Sequence, residues 1–207
     1  MTRKKLLAVT VSGVVAAATL VGCADAGTEP TTAAPATPAA TSTASSGGEV
    51  SEAHNDADTD FAQMMIVHHE GAIEMADLAT DKAESAEVKD LAERIAQAQG
   101  PEIEQMTAWL EAWGEDVSPS EHGGMDHGGM EMDGMSQEEM MAHLEGLEGQ
   151  EFDQAFLEGM IAHHQGAVEM ADAELAEGEN PEALALAEKI ISDQEAEIAE
   201  MQEMLAG

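Results

Sequence analysis

Tyrosine is absent from the 207 residues, and three Phe and two Trp make up the whole aromatic complement. A core built from this chain must be aliphatic and methionine-rich, and 15 Met are present. Basic residues are scarce as well, with 7 Lys and Arg against 43 Asp and Glu and a formal charge of -36. Such a charge repels phosphate backbones and anionic headgroups, which argues against nucleic acid as a partner. It serves equally as a solvating surface or as an attractor of cations. One cysteine, Cys23, excludes an intrachain disulfide. There is also no activated Ser or Cys constellation and no phosphate-cradling Gly loop, so the motifs demand no catalytic step.

The first residues combine a basic start (Arg3, Lys4, Lys5) with a mostly apolar run from Leu6 to Leu20 that is short for a membrane span. They predict a signal peptide over 1–22. Leu20-Val21-Gly22-Cys23 resembles the lipobox of bacterial lipoproteins, in which cleavage leaves a lipid-bearing cysteine at the new N-terminus. The alternative is an ordinary signal peptide with an incidental Cys. Residues 23–57, rich in Pro, Thr, Ala and Ser without apolar periodicity, predict a disordered tether. The expected location is the outer face of the cytoplasmic membrane or the cell envelope. Contact with the membrane would be through the lipid alone.

Beyond the tether the chain repeats itself at an offset of 95 residues, as when Met65, His68 and His69 meet Met160, His163 and His164. Gln99, Glu102 and Met106 likewise meet Gln194, Glu197 and Met201. Each repeat carries the helical period. Phe61, Met65, His68, Ala72, Met75 and Ala79 share one face of a first helix, with Gln63, Glu70, Glu74 and Asp77 opposite. A second helix places Val88, Leu91, Ile95, Met106, Trp109 and Trp113 inward, and Gly100-Pro101 predicts a kink or break in it. Two such hairpins predict an all-α four-helix bundle over 58–207, with repeat one at 58–113, a linker at 114–150 and repeat two at 151–207.

The wheel puts polar groups where apolar ones belong. His68 lies about 60° to one side of Met65 and His69 about 40° to the other, so both imidazoles point at or near the interior. Glu102 and Gln99 fall within or near the apolar arc of the second helix, as do Glu197 and Gln194. An ionised carboxylate there needs a partner. Such groups can be polar pins that fix helix register, and Met at helical spacing can be simple filler. Four inward His, two inward Glu and several inward Met in a duplicated arrangement point instead to a metal. Thioether sulfur selects Cu(I) or Ag(I) over hard cations. A di-iron bundle would want Glu-x-x-His motifs on two helices, which the His-bearing helices lack at the pair.

The linker carries more soft donors: His122, Met125, His127, Met130, Met132, Met135, Met140, Met141 and His143. Its tandem "HGGMDHGGM" is too Gly-rich for a helix and has no packing to do. Flexible Met and His tracts suit capture of Cu(I) at exchangeable sites. The alternative is a low-complexity acidic spacer.

The pattern "F...MI.HH.GA.EMA" followed by "Q..EI..M", present twice between Asp58 and Leu205, resembles the domain of unknown function 305 family. That resemblance implies a ferritin-like four-helix bundle and, as in some members, binding of periplasmic copper or silver. By position it singles out Met65, His68, His69, Met75, Gln99, Glu102 and Met106. In the second repeat it singles out Met160, His163, His164, Met170, Gln194, Glu197 and Met201. Met204 stands where the family pattern has Trp.

The expected protein is thus a lipid-anchored bundle that binds Cu(I), with Ag(I) as a second ion, for sequestration, transfer to a copper-handling partner protein, or tolerance. Met65, His68, His69, Met75, Met160, His163, His164 and Met170 are the expected ligands. Gln99, Glu102, Met106, Gln194, Glu197 and Met201 would complete a site or orient the imidazoles. Two alternatives stay open: a ferritin-like oxidase using His and Glu with iron, manganese or copper, and a bundle whose polar interior only fixes its register.

Overall fold

The computed structural model describes residues 50–119 and 134–207. The signal peptide, Cys23 and residues 23–49 of the expected tether lie outside these residues, as do His122, Met125, His127, Met130 and Met132. Among the described residues five helices follow in order: α1 (Asp56–Lys82), α2 (Ala86–Trp113), α3 (Gln137–Glu145), α4 (Gly149–Glu177) and α5 (Pro181–Ala206). Two helical hairpins, α1–α2 and α4–α5, form the four-helix bundle, joined chiefly by α1 packing on α4. Among the described residues no helix is long and apolar enough to cross a membrane.

Side chains that satisfy the first free N–H groups set where most of these helices begin. Asn55 caps α1 in a reciprocal box with Asp58, Ser85 caps α2, Ser136 and Glu139 box the start of α3, and Asn180 caps α5 ahead of Pro181. Gly114, at φ +77°, closes α2 in the left-handed region that a side chain disfavours. The expected break at Gly100-Pro101 does not occur, and α2 runs through both residues. Ile95 and Met106, on either side of the proline, are both fully buried. Gln63, expected on the solvent face, is buried and donates from Nε2 to the Asp116 carbonyl at 2.6 Å. A long amide can turn back to a loop carbonyl that a helical wheel does not represent.

The apolar core falls into two clusters. One joins Met75, Leu91 and Ile95 to Phe152, Phe156 and Met160. The other joins Phe61, Met65, Met106 and Trp109 to Leu186 and Ile190. On every bundle helix the residues between the two clusters are polar and duplicated: His68 and His69, Gln99 and Glu102, His163 and His164, Gln194 and Glu197. A polar layer therefore crosses the middle of the bundle.

The repeats are also locked to one another at their ends. Asp153 on α4 accepts the backbone N–H groups of Glu84 and Ser85, at 2.9 and 2.8 Å, where α2 begins. Asp58 on α1 accepts those of Glu179 and Asn180, at 3.1 and 2.8 Å, where α5 begins. These are the same positions at the 95-residue offset, so each repeat's first helix pins the start of the other's second. Over the Asp58 end runs the segment before α1, residues 50–55, expected in the disordered tether and instead packed on the helices. The Ser51 carbonyl accepts Trp113 Nε1–H at 2.8 Å, and the Ala53 carbonyl accepts Asn180 Nδ2–H at 2.9 Å.

Within the expected linker, α3 is a folded element. Gln137 donates to the Gly71 carbonyl at 3.0 Å, and Lys82 reaches the carbonyl of Glu145 at 2.7 Å. Met140 and Leu144 are buried in the first cluster, with Met135 and Met141 packed partly against it. Gly159 makes room for Met140, since a Cβ there would stand 2.9 Å from the sulfur. Three of the linker methionines are thus accounted for by packing, and His143 is exposed on α3. Met140→Ala is expected to lower the unfolding free energy by about 2 kcal/mol, read as a reduced urea midpoint at constant slope. An unchanged midpoint would mean that α3 is not seated on the bundle.

Candidate metal centre

His68 and His69 project from α1 and His163 and His164 from α4 because each pair sits one turn beyond an inward methionine. All four imidazoles are buried, His69 and His164 completely. The His68 and His163 rings meet across the α1–α4 contact with centroids 3.7 Å apart and planes tilted by 46°. Burial lowers the pKa of His163 well below the ordinary imidazole value, and the neighbouring His68, His164 and His69 lower it further. A neutral imidazole is the form that can donate a lone pair to a metal.

The other two rings are held by carboxylates from the paired helix of the same repeat. His69 Nε2 lies 2.8 Å from Glu102 Oε2, and His164 Nε2 lies 2.6 Å from Glu197 Oε2. Burial lowers the pKa of His69, outweighing the opposite pull of Glu102. Burial tends to raise Glu102, but its bonds to His69 and Lys189 more than offset that and keep it ionised. An ionised carboxylate only accepts, so the proton of His69 sits on Nε2 and the lone pair is left on Nδ1. His164 Nε2 faces Glu197 in the same geometry. Nδ1 of His69, His163 and His164 is buried without a hydrogen-bond partner, and so are both amide atoms of Gln99 and Oε1 of Gln194. Buried polar atoms rarely stay unsatisfied.

Methionines bracket this layer. Met65 and Met106 lie one turn toward one apolar cluster, and Met160 and Met201 one turn toward the other, all fully buried. Met75 is buried farther along α1, while Met170 is only partly buried. Among the described residues no three His, Cys, Asp or Glu side chains already converge at metal-ligand distance. Histidine nitrogen supplemented by thioether sulfur is the donor set the interior offers, and it fits a soft ion of low coordination number.

Several residues that complete this picture were not among the sequence candidates. Lys189 Nζ lies 2.8 Å from Glu102 Oε1 and 2.7 Å from Asp193. Arg94, at the equivalent place in repeat one, forks onto Glu200 at 2.6 and 3.1 Å. Asp58 and Asp153 stand at equivalent positions too, and the 95-residue register that exposed the histidines contains all of these pairs.

A duplicated helical hairpin with a buried histidine layer defines the class, and comparison with known proteins places the chain within it. The profile described as Domain of unknown function (DUF305) matches residues 58–205. The chain belongs to that family. A DUF305 protein from Streptomyces coelicolor is 33% identical over 72% of this chain and 92% of its own, with a TM-score of 0.64. A DUF305 fragment from Deinococcus radiodurans is 31% identical over 73% and 97%, with a TM-score of 0.65. CopM in its Cu(I)-bound form is 35% identical over 71% of this chain and 94% of its own, with a TM-score of 0.58. CopM is also known in Cu(II)-bound, silver-bound and metal-free forms. No curated protein matches the chain at a significant level.

Proposed function

We propose that this protein binds Cu(I), with Ag(I) as its analogue, in the histidine layer of the bundle, and that it sequesters or passes on copper outside the cytoplasmic membrane. The observation that carries the reading is the paired His–carboxylate geometry. Glu102 and Glu197 hold Nε2 of His69 and His164, leaving Nδ1 of each buried without a hydrogen-bond partner in a methionine-bracketed interior. Carboxylate–imidazole pairs of this kind orient a ligand and raise its basicity. His68 and His163 supply further nitrogens, and Met65, Met160, Met106 and Met201 supply thioethers within one turn. The similarity to CopM, which has Cu(I)- and silver-bound forms, supports the choice of ion. The acidic surface raises the local cation concentration. The sequence of residues 121–143 adds soft donors for capture, and the lipobox-like Leu20–Cys23 supports a lipid tether.

Binding and hand-over need no bond-making step. The test is an anaerobic Cu(I) competition titration of the full chain, a variant lacking 121–143, and a Glu102→Gln, Glu197→Gln double variant. Sub-micromolar binding is expected to survive the deletion, and the double variant is expected to bind about 10–100-fold more weakly. Affinity weaker than about micromolar in the deletion variant would rule out the bundle as the site. Unchanged affinity in the double variant would show that its His–Glu pairs only fix register.

A further inference from the structure

The two halves of the histidine layer are related by the repeat, yet their counter-charges are not. Lys189 on α5 reaches across to α2 and bonds Glu102, the carboxylate that holds His69. Arg94 on α2 is the equivalent residue and would reach Glu197, which holds His164. It instead forks onto Glu200, and its charge acts on Glu197 only through space. Two substitutions between the repeats touch these cations, Asp193 for Ala98 beside Lys189 and Glu200 for Gln105, and the second separates their paths. Glu200 corresponds to Gln105, so repeat two has an acid that diverts the arginine and repeat one has none for Lys189. Lys189 therefore stays on Glu102, its other bond being to Asp193 on its own helix.

We infer that the His164 half of the layer fills with a monovalent soft ion before the His69 half, and that Lys189 and Glu200 set this order. The inference rests on the proposed metal site. An ion beside His164 is attracted by Glu197, a carboxylate that no cation bonds among the described residues. An ion beside His69 meets a Glu102 already neutralised by an ammonium, and that ammonium also repels it. Glu197 is somewhat more open to solvent than Glu102, with 17% of its side chain exposed against 9%. That difference weakens the attraction without reversing it: each half holds two carboxylates and one cation, but the ammonium bonds the carboxylate that holds His69, whereas the guanidinium bonds Glu200 and leaves the one that holds His164. Lys189 and Glu200 are positioning residues, acting through the carboxylates and touching no ion.

The experiment is a titration of the full chain, labelled with 15N-histidine, with silver nitrate in chloride-free buffer, following each imidazole by long-range proton–nitrogen spectra. Ions captured by linker residues leave the His69 and His164 resonances unmoved, so the readout is specific to the layer. In the unmodified protein His164 is expected to reach half-saturation at about tenfold lower free Ag(I) than His69. Lys189→Met should bring His69 toward His164, Glu200→Gln should delay His164 as Arg94 is freed to reach Glu197, and Lys189→Arg should preserve the order. Parallel saturation in the unmodified protein, or an order indifferent to both Lys189→Met and Glu200→Gln, would overturn the inference and leave the metal reading standing. No response from either imidazole would overturn both.

Discussion

Asp58→Ala is expected to lower the unfolding free energy by about 3–5 kcal/mol, a large part of the margin of a domain this size. Asp58 is wholly buried, and its carboxylate accepts the backbone N–H groups of Asn55, Glu179 and Asn180. Burial alone would raise its pKa, but the bonds from Asn55, Asn180, Glu174 and Glu179 together lower it, so the carboxylate is bound as the anion. Truncation leaves three donors at a packed helix end and frees the start of α5 from α1. Asp153→Ala, which releases two donors at the other end, should cost about 2–3 kcal/mol. Urea unfolding at pH 7 checks both. A loss below about 1 kcal/mol for Asp58→Ala would mean that the repeats are held together by apolar contact alone.

That interlock marks where reading the chain as a sequence stops. The helices, their apolar faces and the inward histidines follow from a 3.6-residue period and a 95-residue register, both local or additive properties of the chain. Phe61, Met65, Ala72, Met75 and Ala79 are all buried as that period requires. The pairing of Asp58 with Asn180 spans 122 positions, and no periodicity expresses it, because a carboxylate on a helix's first turn looks like an ordinary cap. Helix α3 escaped for a different reason. Nine residues with a capping box are too short for a stable helix alone, and α3 exists because Met140 and Leu144 find a groove. The buried Glu102 ran against the Pro101 beside it, where local propensity yields to tertiary packing on both sides.

The polar middle layer carries a related lesson about what duplication does. A buried carboxylate or imidazole is costly unless each has a partner, and doubling a hairpin doubles that cost along with the apolar faces. His69 and His164 are each satisfied on one nitrogen by a carboxylate from their own repeat, so every hairpin arrives with half of its polar layer already paired. The His68 and His163 rings meet only across the contact between the hairpins.

The second large effect concerns Glu174, which stands where the other repeat has Ala79 and is almost wholly buried. Its carboxyl accepts no hydrogen bond, crowds the backbone of Gly178 so closely that no side chain fits there, and faces the carboxylate of Asp58. Burial and the adjacent Asp58 push it up to about 8, so at neutral pH it holds a proton that it can donate to Asp58. Between its ordinary value of 4.5 and about 8, the folded protein keeps this proton while the unfolded chain releases it. Folding then takes up a proton, and this group's contribution to stability falls as pH rises through that window. The rise corresponds to at most about 5 kcal/mol, and relaxation of the helix end reduces that to about 2–4 kcal/mol. Glu174→Gln keeps a donor for Asp58 and cannot ionise. It should match the unmodified protein near pH 4.5, gain on it progressively, and exceed it by about 2–4 kcal/mol at pH 8.5, measured by urea unfolding at each pH. A constant offset between the two stability curves would mean that Glu174 is already ionised in the folded state, and the crowded carboxyl pair at the start of α5 would then need another counter-charge.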